Sequence, residues 1–343
     1  MTRIADAVLG WDIGGVNTKV ARVAAGVVLG ARSEPFEIQR APSELAPLLA
    51  RLATEVGGAP LDTHAVTMTA ELSQHFRTKR EGVHFVLGAV EAAFPGAAVY
   101  VYAVDGCFLD LSAARREPLA VAASNWAATA RLAARTIPDA ILIDVGTTTT
   151  DVIPLVGGEV AARGRTDPER LREGELLYLG ALRTPVEAIV HAVPLGGGLA
   201  GVSAEGFALA GDAHLWRGEL HPAAYTAPTP DGRAATREGA GERLARVVCG
   251  DREMLDDAAI TAIADCIADA QVARIAEAIA RVGRRHPHIA LAVTTGLGEF
   301  LAAIAARRAG LQVAPLAPAL GLAPAQCAAA AAVALLLAGA PTA

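Results

Sequence analysis

The sequence predicts an α/β protein with two similar lobes, and three observations lead to this prediction. The chain has 343 residues, a length typical of about two domains. Hydrophobic residues make up 53% of it and charged residues 19%, a composition that favours a packed core and excludes a disordered chain. A pattern of three short strands separated by glycine turns occurs twice, led by Asp12 and, 132 positions later, by Asp144, which indicates an internal duplication.

The first copy of this pattern begins with three short apolar runs, and the glycines between them mark hairpin turns. Strand-like runs and helical spacings of apolar residues then alternate along the chain. The predicted strands are 7–12, 17–24, 26–31, 64–69 and 98–102, and the predicted helices are 43–56, 82–94 and 125–135. We therefore predict a first lobe over residues 1–136, in which helices cover a sheet.

The second copy of the pattern predicts a second lobe over residues 137–343. Its predicted strands are 140–144, 151–155, 289–294 and 311–314, and its predicted helices are 299–308 and 324–337. A polar, glycine-containing stretch at about 170–257 is too long for a simple loop, so we expect an inserted subdomain that builds a substrate site. Two similar lobes also predict a cleft between them.

Each copy carries a loop whose residue types suit a phosphate group. Loop 1 (residues 12–19) contains Asp12, Gly14, Gly15, Asn17, Thr18 and Lys19, and loop 2 (residues 144–151) contains Asp144, Gly146, Thr147, Thr148, Thr149 and Asp151. Glycines let backbone N–H groups approach an anion, and hydroxyl and ammonium groups suit phosphate oxygens. Either loop alone also suits an ordinary glycine hairpin. Two of them at matching positions predict a diphosphate or nucleotide-phosphate site.

Three carboxylates in these loops are the predicted metal ligands. Asp12, Asp144 and Asp151 are hard oxygen donors that suit a hydrated Mg²⁺ beside the phosphates. A further element, 294–300, leads from a strand through Gly296 and Gly298 to a helix that begins at Glu299. A helix N-terminus favours an anion or a polar group, although a tight strand-to-helix turn explains the two glycines equally well.

Together the three elements resemble the ASKHA superfamily, which includes actin, the sugar kinases and the heat-shock chaperone ATPases. The resemblance implies a duplicated ribonuclease H-like fold with two phosphate loops and, at 294–300, an adenosine loop. Within the superfamily the sequence resembles the hydantoinase A/oxoprolinase group, and in it a branch linked to tetrahydromethanopterin-dependent one-carbon transfer. The motifs that carry this resemblance are 67–72, 144–151, 174–180, 182–187 and 211–215.

The branch implies a transferase of methanofuran biosynthesis. Its reaction joins an aminomethylfuran that carries a methyl diphosphate to the phenol oxygen of γ-glutamyl-tyramine, with diphosphate as the leaving group. We expect Mg²⁺ as the cofactor. ATP is not favoured as a cofactor, but whether it is used stays open. The alternatives are an ATP-dependent small-molecule kinase, a cyclic-amide hydrolase of the hydantoinase/oxoprolinase type, or a nucleotide-responsive binding module.

Several polar residues are candidates for this chemistry. The predicted catalytic residues are Lys19 for the leaving group, Asp151 and then His214 as the base for the phenol, and Glu71 or Asp151 beside a cation-like transition state. The predicted substrate-binding residues are Arg77, Lys79, Arg183, Thr184 and Asp212, with the planar fork of Arg183 suited to a glutamyl carboxylate. A solvated loop, a surface salt bridge and a structural histidine are the alternative interpretations.

Charge and patterning limit the partners that the sequence predicts. The net charge is −6 and there is no basic run, so sequence-independent binding of nucleic acid is excluded. An acid stands near the N-terminus, where a signal peptide is apolar, and prolines interrupt the apolar tail. The four cysteines form no C-x-x-C pair. We expect a cytoplasmic protein that binds small molecules and no membrane, and a homo-oligomer stays open.

Overall fold

The computed structural model describes residues 7–59, 61–319 and 327–339, and its elements alternate between strand and helix. The strands are β1 Ala7–Ile13, β2 Asn17–Ala24, β3 Val27–Pro35, β4 Thr63–Met68, β5 Val99–Tyr102, β6 Phe108–Asp110, β7 Ala140–Val145, β8 Thr150–Val156, β9 Glu159–Val160, β10 Leu176–Leu177, β11 Ala192–Leu195, β12 Gly198–Gly201, β13 Leu291–Thr295 and β14 Gln312–Pro315. The helices are α1 Leu45–Glu55, α2 Lys79–Ala93, α3 Leu111–Arg116, α4 Pro118–Val121, α5 Asn125–Thr136, α6 Asp167–Glu173, α7 Ala210–Arg217, α8 Arg237–Arg246, α9 Asp257–Gly283, α10 Glu299–Arg308, α11 Leu316–Ala319 and α12 Ala328–Ala338. The predicted α/β class is confirmed.

The chain divides into two compact units, and their boundaries differ from the predicted lobes. The first unit consists of the chain up to Asp139, of Leu155–Asp167 and of the chain from Leu316 onwards. The second consists of Ala140–Pro154 and Pro168–Pro315. The assignment of all of 137–343 to a second lobe is therefore corrected, because α12 packs on β1 and α5 of the first unit.

The first unit has a six-stranded mixed sheet in the order β3-β2-β1-β4-β5-β6. β1 pairs antiparallel with β2 and parallel with β4, as expected for a hairpin followed by α/β alternation. Leu9, Trp11 and Ile13 of β1 are buried in one core with apolar residues of α1 and α2. On the other face α12 lies so close that a Cβ on Gly10 would be 2.0 Å from the carbonyl oxygen of Ala330. Only a helix of small residues fits this separation, which explains the alanine-rich sequence of α12.

The second unit repeats the central part of this arrangement. Its sheet has the order β10-β8-β7-β13-β14, and β9 pairs with β8. β13 pairs parallel with β7 and with β14, as β4 does with β1 and β5. The acids Asp12 and Asp144 both stand near the carboxyl end of the first strand of their sheet, where ligands of α/β proteins bind.

The predicted insertion at about 170–257 has a structure of its own. It contains the hairpin β11–β12 and helices α7 and α8, and α9 follows it directly. The 27-residue α9 was not predicted from the sequence; it packs against α7, α8 and α10. Within the described ranges, no helix combines the length and apolarity that crossing a membrane requires.

Candidate functional site

Loop 1 is a tight hairpin whose backbone is held by hydrogen bonds. The N–H of Gly14 donates to the carbonyl of Asn17 at 2.9 Å, and a Cβ on Gly14 would be only 2.6 Å from that oxygen. The carbonyls of Gly15 and Val16 accept from Ile38 and Phe36. Since the N–H of a peptide points away from its carbonyl, the N–H of Val16 points to the opposite side, where it donates to no acceptor in the described part of the chain.

Asp12 and Lys19 form the charged pair of loop 1. They are directly opposite each other on β1 and β2, and Lys19 Nζ is 3.0 Å from Asp12 Oδ2. The Asp12 side chain is only 4% exposed, and its Oδ1 has no hydrogen-bond partner among the described residues. A buried oxygen without a partner costs free energy, so this atom is suited to a ligand that brings its own donor or metal ion.

Loop 2 repeats this backbone geometry 132 residues later. The N–H of Gly146 donates to the carbonyl of Thr149 at 2.9 Å, as Gly14 does to Asn17. The carbonyls of Gly146 and Thr147 accept from the N–H groups of 181–183 at 2.8–3.2 Å. The N–H groups of Thr147 and Thr148 therefore point away from 181–183, and neither has a protein acceptor within the described ranges. These peptides are suited to an anion.

Gly180 and the 296–298 turn lie against loop 2. A Cβ on Gly180 would be 2.5 Å from the backbone of Thr147 and Thr148, so only glycine allows this contact. Gly296 has φ +95°, and a Cβ there would be 2.4 Å from Asp144 Oδ1. The N–H of Gly298 donates to the carbonyl of Val145 at 2.8 Å. The second unit thus brings loop 2 and the 294–300 element together. Glu299 is the first residue of α10, and partial burial raises the pKa of its carboxyl.

Asp151 has a structural partner that the sequence did not indicate. It occupies the position in loop 2 that Lys19 occupies in loop 1, and the side chain of Arg170 from α6 pairs with it. Arg170 is 2% exposed and also donates to the carbonyl of Glu175 at 3.3 Å. This buried ion pair occupies the carboxylate that was predicted as first choice of base and as a metal ligand.

Glu71 is the buried carboxylate whose oxygens have no hydrogen bond in the described structure. It lies on the 3₁₀ turn Ala70–Leu72 after β4 and is 1% exposed. Lys79 is the first residue of α2, and its Nζ is 3.7 Å from Glu71 Oε1 and 2.7 Å from Asp167 Oδ2. Burial raises the pKa of Glu71 to about 7, and the nearby Lys79 ammonium limits the rise. A carboxyl with this pKa can accept a proton near neutral pH.

Asp212 was predicted to bind substrate, but its position is structural. It is fully buried in the first turn of α7. Arg243 donates to its Oδ1 from Nε at 2.9 Å, and its Nη2 forms an ion pair with the same oxygen at 2.7 Å. The hydroxyl of Tyr225 also donates to this oxygen, at 3.1 Å. The N–H of Leu209 donates to Oδ2 at 2.9 Å. All of these partners belong to the insertion, so Asp212 holds that subdomain together.

His214 also has both of its polar atoms occupied. Its ring is fully buried, with Nδ1 2.9 Å from Glu219 Oε2 and Nε2 2.7 Å from Gln271 Oε1. Burial opposes the ionisation of Glu219, but hydrogen bonds from His214 and Arg217 hold the pKa of that carboxyl at about 2. The second predicted base is therefore enclosed by acceptors and not directed at a ligand.

The remaining predicted residues are Thr184 and Arg183, which lie beside loop 2, and Arg77, which precedes α2. Thr184 accepts from the N–H of Gly180 at 3.0 Å, which closes the turn against loop 2. The N–H of Arg183 donates to the carbonyl of Thr147 at 2.8 Å, so its side chain, which is partly buried, begins beside loop 2. The exposed Arg77 lies before α2, and its N–H donates to Glu81 Oε2 at 2.9 Å.

The set of three acids predicted to bind a metal ion stays a prediction. Within the described ranges, no group of three or more His, Cys, Asp or Glu could hold an ion.

Comparison with known proteins agrees with this architecture. A model of the hydantoinase/oxoprolinase family matches residues 62–337. A protein of Methanocaldococcus jannaschii named (4-{4-[2-(γ-L-glutamylamino)ethyl]phenoxymethyl}furan-2-yl)methanamine synthase is 38% identical over 293 residues, which cover 85% of this chain and 86% of the relative. A protein of the same name from Methanococcus vannielii is 36% identical over 159 residues, 46% of this chain and 71% of the relative.

One solved structure shows a similar fold at low sequence identity, and a second one is less similar. The nucleotide-free structure of acetone carboxylase, from work on ATP-dependent acetone carboxylation, has a TM-score of 0.56 at 12% identity over 96% of this chain and 70% of that one. A glucokinase of the ROK family from Streptomyces griseus, in complex with glucose and AMPPNP, has a TM-score of 0.45 at 14% identity over 96% and 98%. The fold is that of the ASKHA superfamily, and by its matched residues and its relatives the chain belongs to the hydantoinase/oxoprolinase family.

Proposed function

We propose that this chain is a transferase that joins a furanylmethyl diphosphate to the phenol of γ-glutamyl-tyramine. The product is the aryl ether that gives the relatives their name, and it is an intermediate of methanofuran biosynthesis. The observation that carries the proposal is the 38% identity to the M. jannaschii synthase, which extends over 85% of this chain and 86% of the relative.

The proposed step is an alkyl transfer in which the phenol oxygen attacks the furanylmethyl carbon. A new carbon–oxygen bond forms there while the bond from that carbon to the diphosphate oxygen breaks. The electron pair of the broken bond leaves with diphosphate, and the phenol proton passes to a base of the protein. This reaction consumes no ATP. The alternative is an ATP-dependent reaction, that of a small-molecule kinase or a cyclic-amide hydrolase.

The leaving diphosphate is assigned to loops 1 and 2. Lys19 supplies an ammonium group, and the N–H groups of Val16, Thr147 and Thr148 supply donors that have no protein acceptor in the described structure. Donors held in place before the reaction stabilise negative charge that grows on a leaving group. Each loop is proposed to bind diphosphate through the residues of its own unit.

Mg²⁺ fits the carboxylate of loop 1. Asp12 Oδ1 is buried and has no hydrogen-bond partner in the described chain, and Mg²⁺ is commonly held by one or two carboxylates together with waters and substrate phosphates. In loop 2, Asp144 next to Gly296 is the corresponding carboxylate proposed for the ion. Asp151 is less suited because Arg170 pairs with it. When bound, the ion would neutralise charge on the diphosphate.

Glu71 is proposed as the base that takes the phenol proton. Its oxygens lack hydrogen bonds and its pKa is near neutral. The two residues predicted as bases from the sequence are engaged by other groups, Asp151 by Arg170 and His214 by Glu219 and Gln271. Lys79 is 25% exposed and covers Glu71, so the phenol reaches the carboxylate when this side chain swings outwards. Arg183 is proposed to pair with the glutamyl carboxylate of the acceptor. Arg77 is proposed as a further substrate-binding residue.

The test is an assay of the purified protein with furanylmethyl diphosphate, γ-glutamyl-tyramine and Mg²⁺ but no ATP. The proposal expects the ether and inorganic diphosphate in a ratio of one to one, measured by mass spectrometry and by a diphosphate-specific assay. A strict requirement for ATP, with ADP formed in step with product, would reject it in favour of the kinase or hydrolase.

A further inference from the structure

A buried chain of hydrogen bonds connects the insertion to loop 2. It starts at Glu219, passes through the ring of His214 and the amide of Gln271, and ends at the carbonyl of Gly180. Its three hydrogen bonds join residues of different elements, since His214 lies on α7, Gln271 on α9 and Gly180 against loop 2. Two of the sequence motifs, 174–180 and 211–215, meet in this chain, and the proposed reaction uses neither directly.

The direction of each hydrogen bond follows from the groups at its ends. The carbonyl of Gly180 only accepts, so the Gln271 amide nitrogen, 2.9 Å away, must face it. The amide oxygen of Gln271 then faces His214 Nε2 at 2.7 Å, and this nitrogen must carry a proton. On the other side of the ring, Nδ1 faces the carboxylate of Glu219 at 2.9 Å, which is a second acceptor.

His214 Nε2 therefore donates to Gln271, and Nδ1 lies against the Glu219 carboxylate. The His214 side chain is fully buried. The ring of Phe300 also packs edge-on against it, with 5.0 Å between the two ring centroids. A buried ring held between a carboxylate and an amide fixes the orientation of all three groups. Because Glu219 and Gln271 engage both ring nitrogens, the ring is not directed at a reacting atom.

The far end of the chain sets the geometry of loop 2. Gly180 is followed by three N–H groups, those of Ala181, Leu182 and Arg183, which donate to the carbonyls of Gly146 and Thr147. These bonds decide where the N–H groups of Thr147 and Thr148 point. A displacement of Gly180 would therefore rotate the peptides that are proposed to bind the diphosphate.

We propose that His214 and Gln271 are positioning residues that hold Gly180 in place and thereby preorganise the anion-binding peptides of loop 2. The inference rests on the proposed role of loop 2 as part of the diphosphate site. It assigns His214 an indirect part in the reaction, because the ring acts through Gln271 and Gly180 and touches no reacting atom.

Gln271→Glu is the variant that separates the two bonds of Gln271. The new carboxylate has the same shape and accepts from His214 Nε2, but it cannot donate to the Gly180 carbonyl. Thr261→Val is the matched control, because it removes the 3.0 Å hydrogen bond from Trp216 that also ties α7 to α9 but does not lead to Gly180. Both proteins should fold, as checked by circular dichroism and thermal unfolding.

Three measurements test the inference. With inorganic diphosphate and Mg²⁺ in a calorimeter, Gln271→Glu should bind about 10-fold more weakly than the wild type, and Thr261→Val should bind equally well. Hydrogen exchange of the amides of 181–183 should accelerate in Gln271→Glu alone. In ¹⁵N-histidine spectra of the wild-type protein, His214 should carry a proton on Nε2.

The possible results separate this inference from the proposed function. Unchanged exchange at 181–183 in Gln271→Glu, or a His214 ring without a proton on Nε2, would overturn the positioning role whatever the enzyme binds. If the wild type binds no diphosphate, the proposed function is wrong, and the exchange of 181–183 still decides whether Gln271 holds Gly180.

Discussion

Replacing Glu71 by glutamine should make the protein more stable and less active at pH 8. The burial of the carboxyl raises its pKa from 4.5 to about 7, which corresponds to about 3 kcal/mol at about 1.4 kcal/mol per unit. The folded state therefore binds the proton more tightly than the unfolded state. The resulting stabilisation is complete below pH 4.5 and is lost as the pH rises through 7.

The Glu71→Gln variant keeps a neutral side chain of the same shape at every pH. At pH 8 its free energy of unfolding should exceed that of the wild type by up to about 3 kcal/mol, and the difference should fall towards zero at pH 4.5. Turnover should decrease by about 100-fold or more, as expected for the loss of a general base. Denaturant unfolding at both pH values and steady-state kinetics measure the two effects.

Glu91→Gln is the control for this experiment. Glu91 pairs with Arg115 at the surface and is 58% exposed, so its replacement should change stability by less than about 1 kcal/mol and leave turnover unaltered. A Glu71→Gln protein that is less stable than the wild type at pH 8 would show that the carboxylate is well solvated or paired. A variant with full turnover would remove Glu71 from the reaction.

Three further predictions concern loops 1 and 2. Lys19→Met should lower turnover by about 100-fold if the ammonium stabilises the leaving group, and unchanged kinetics at saturating Mg²⁺ would exclude that role. Asp144→Asn should weaken the coupling between Mg²⁺ and diphosphate in calorimetric titrations; wild-type binding that is equally tight in excess chelator would refute the metal site. Gly14→Ala should destabilise the fold by about 1–3 kcal/mol in denaturant unfolding, because its Cβ would be 2.6 Å from a backbone oxygen. Gly15→Ala, with its nearest neighbour 3.9 Å away, should be nearly neutral, and equal effects of the two would contradict the loop packing.

Local sequence patterns were sufficient to predict most of the fold. Glycine turns between apolar runs indicated β1, β2 and β3, and the same pattern at β7 and β8 revealed the duplication. Helix α9 escaped prediction because alanines on all of its faces weaken the contrast between its buried and exposed sides. The position of α12 on β1 escaped as well, since apolar composition indicates burial but not the sheet that provides it.

The partners of the polar residues could not be read from local patterns. Asp12 and Lys19 pair within one hairpin, so their spacing predicted them together. Arg170 reaches Asp151 from another element, and Gln271 reaches Gly180 across 91 residues. Such contacts depend on the tertiary fold, and for this reason Asp151 and His214 were predicted as bases although Arg170 pairs with Asp151 and Gln271 engages His214.

The most direct test of alkyl transfer is to follow the oxygen atoms of the reaction. The acceptor is prepared with ¹⁸O in its phenol and the product is analysed by mass spectrometry. Attack by the phenol oxygen on the furanylmethyl carbon predicts that all of the ¹⁸O is found in the ether and none in the released diphosphate. Release of ¹⁸O into phosphate or water, or its retention in a phosphorylated phenol, would contradict the proposed chemistry.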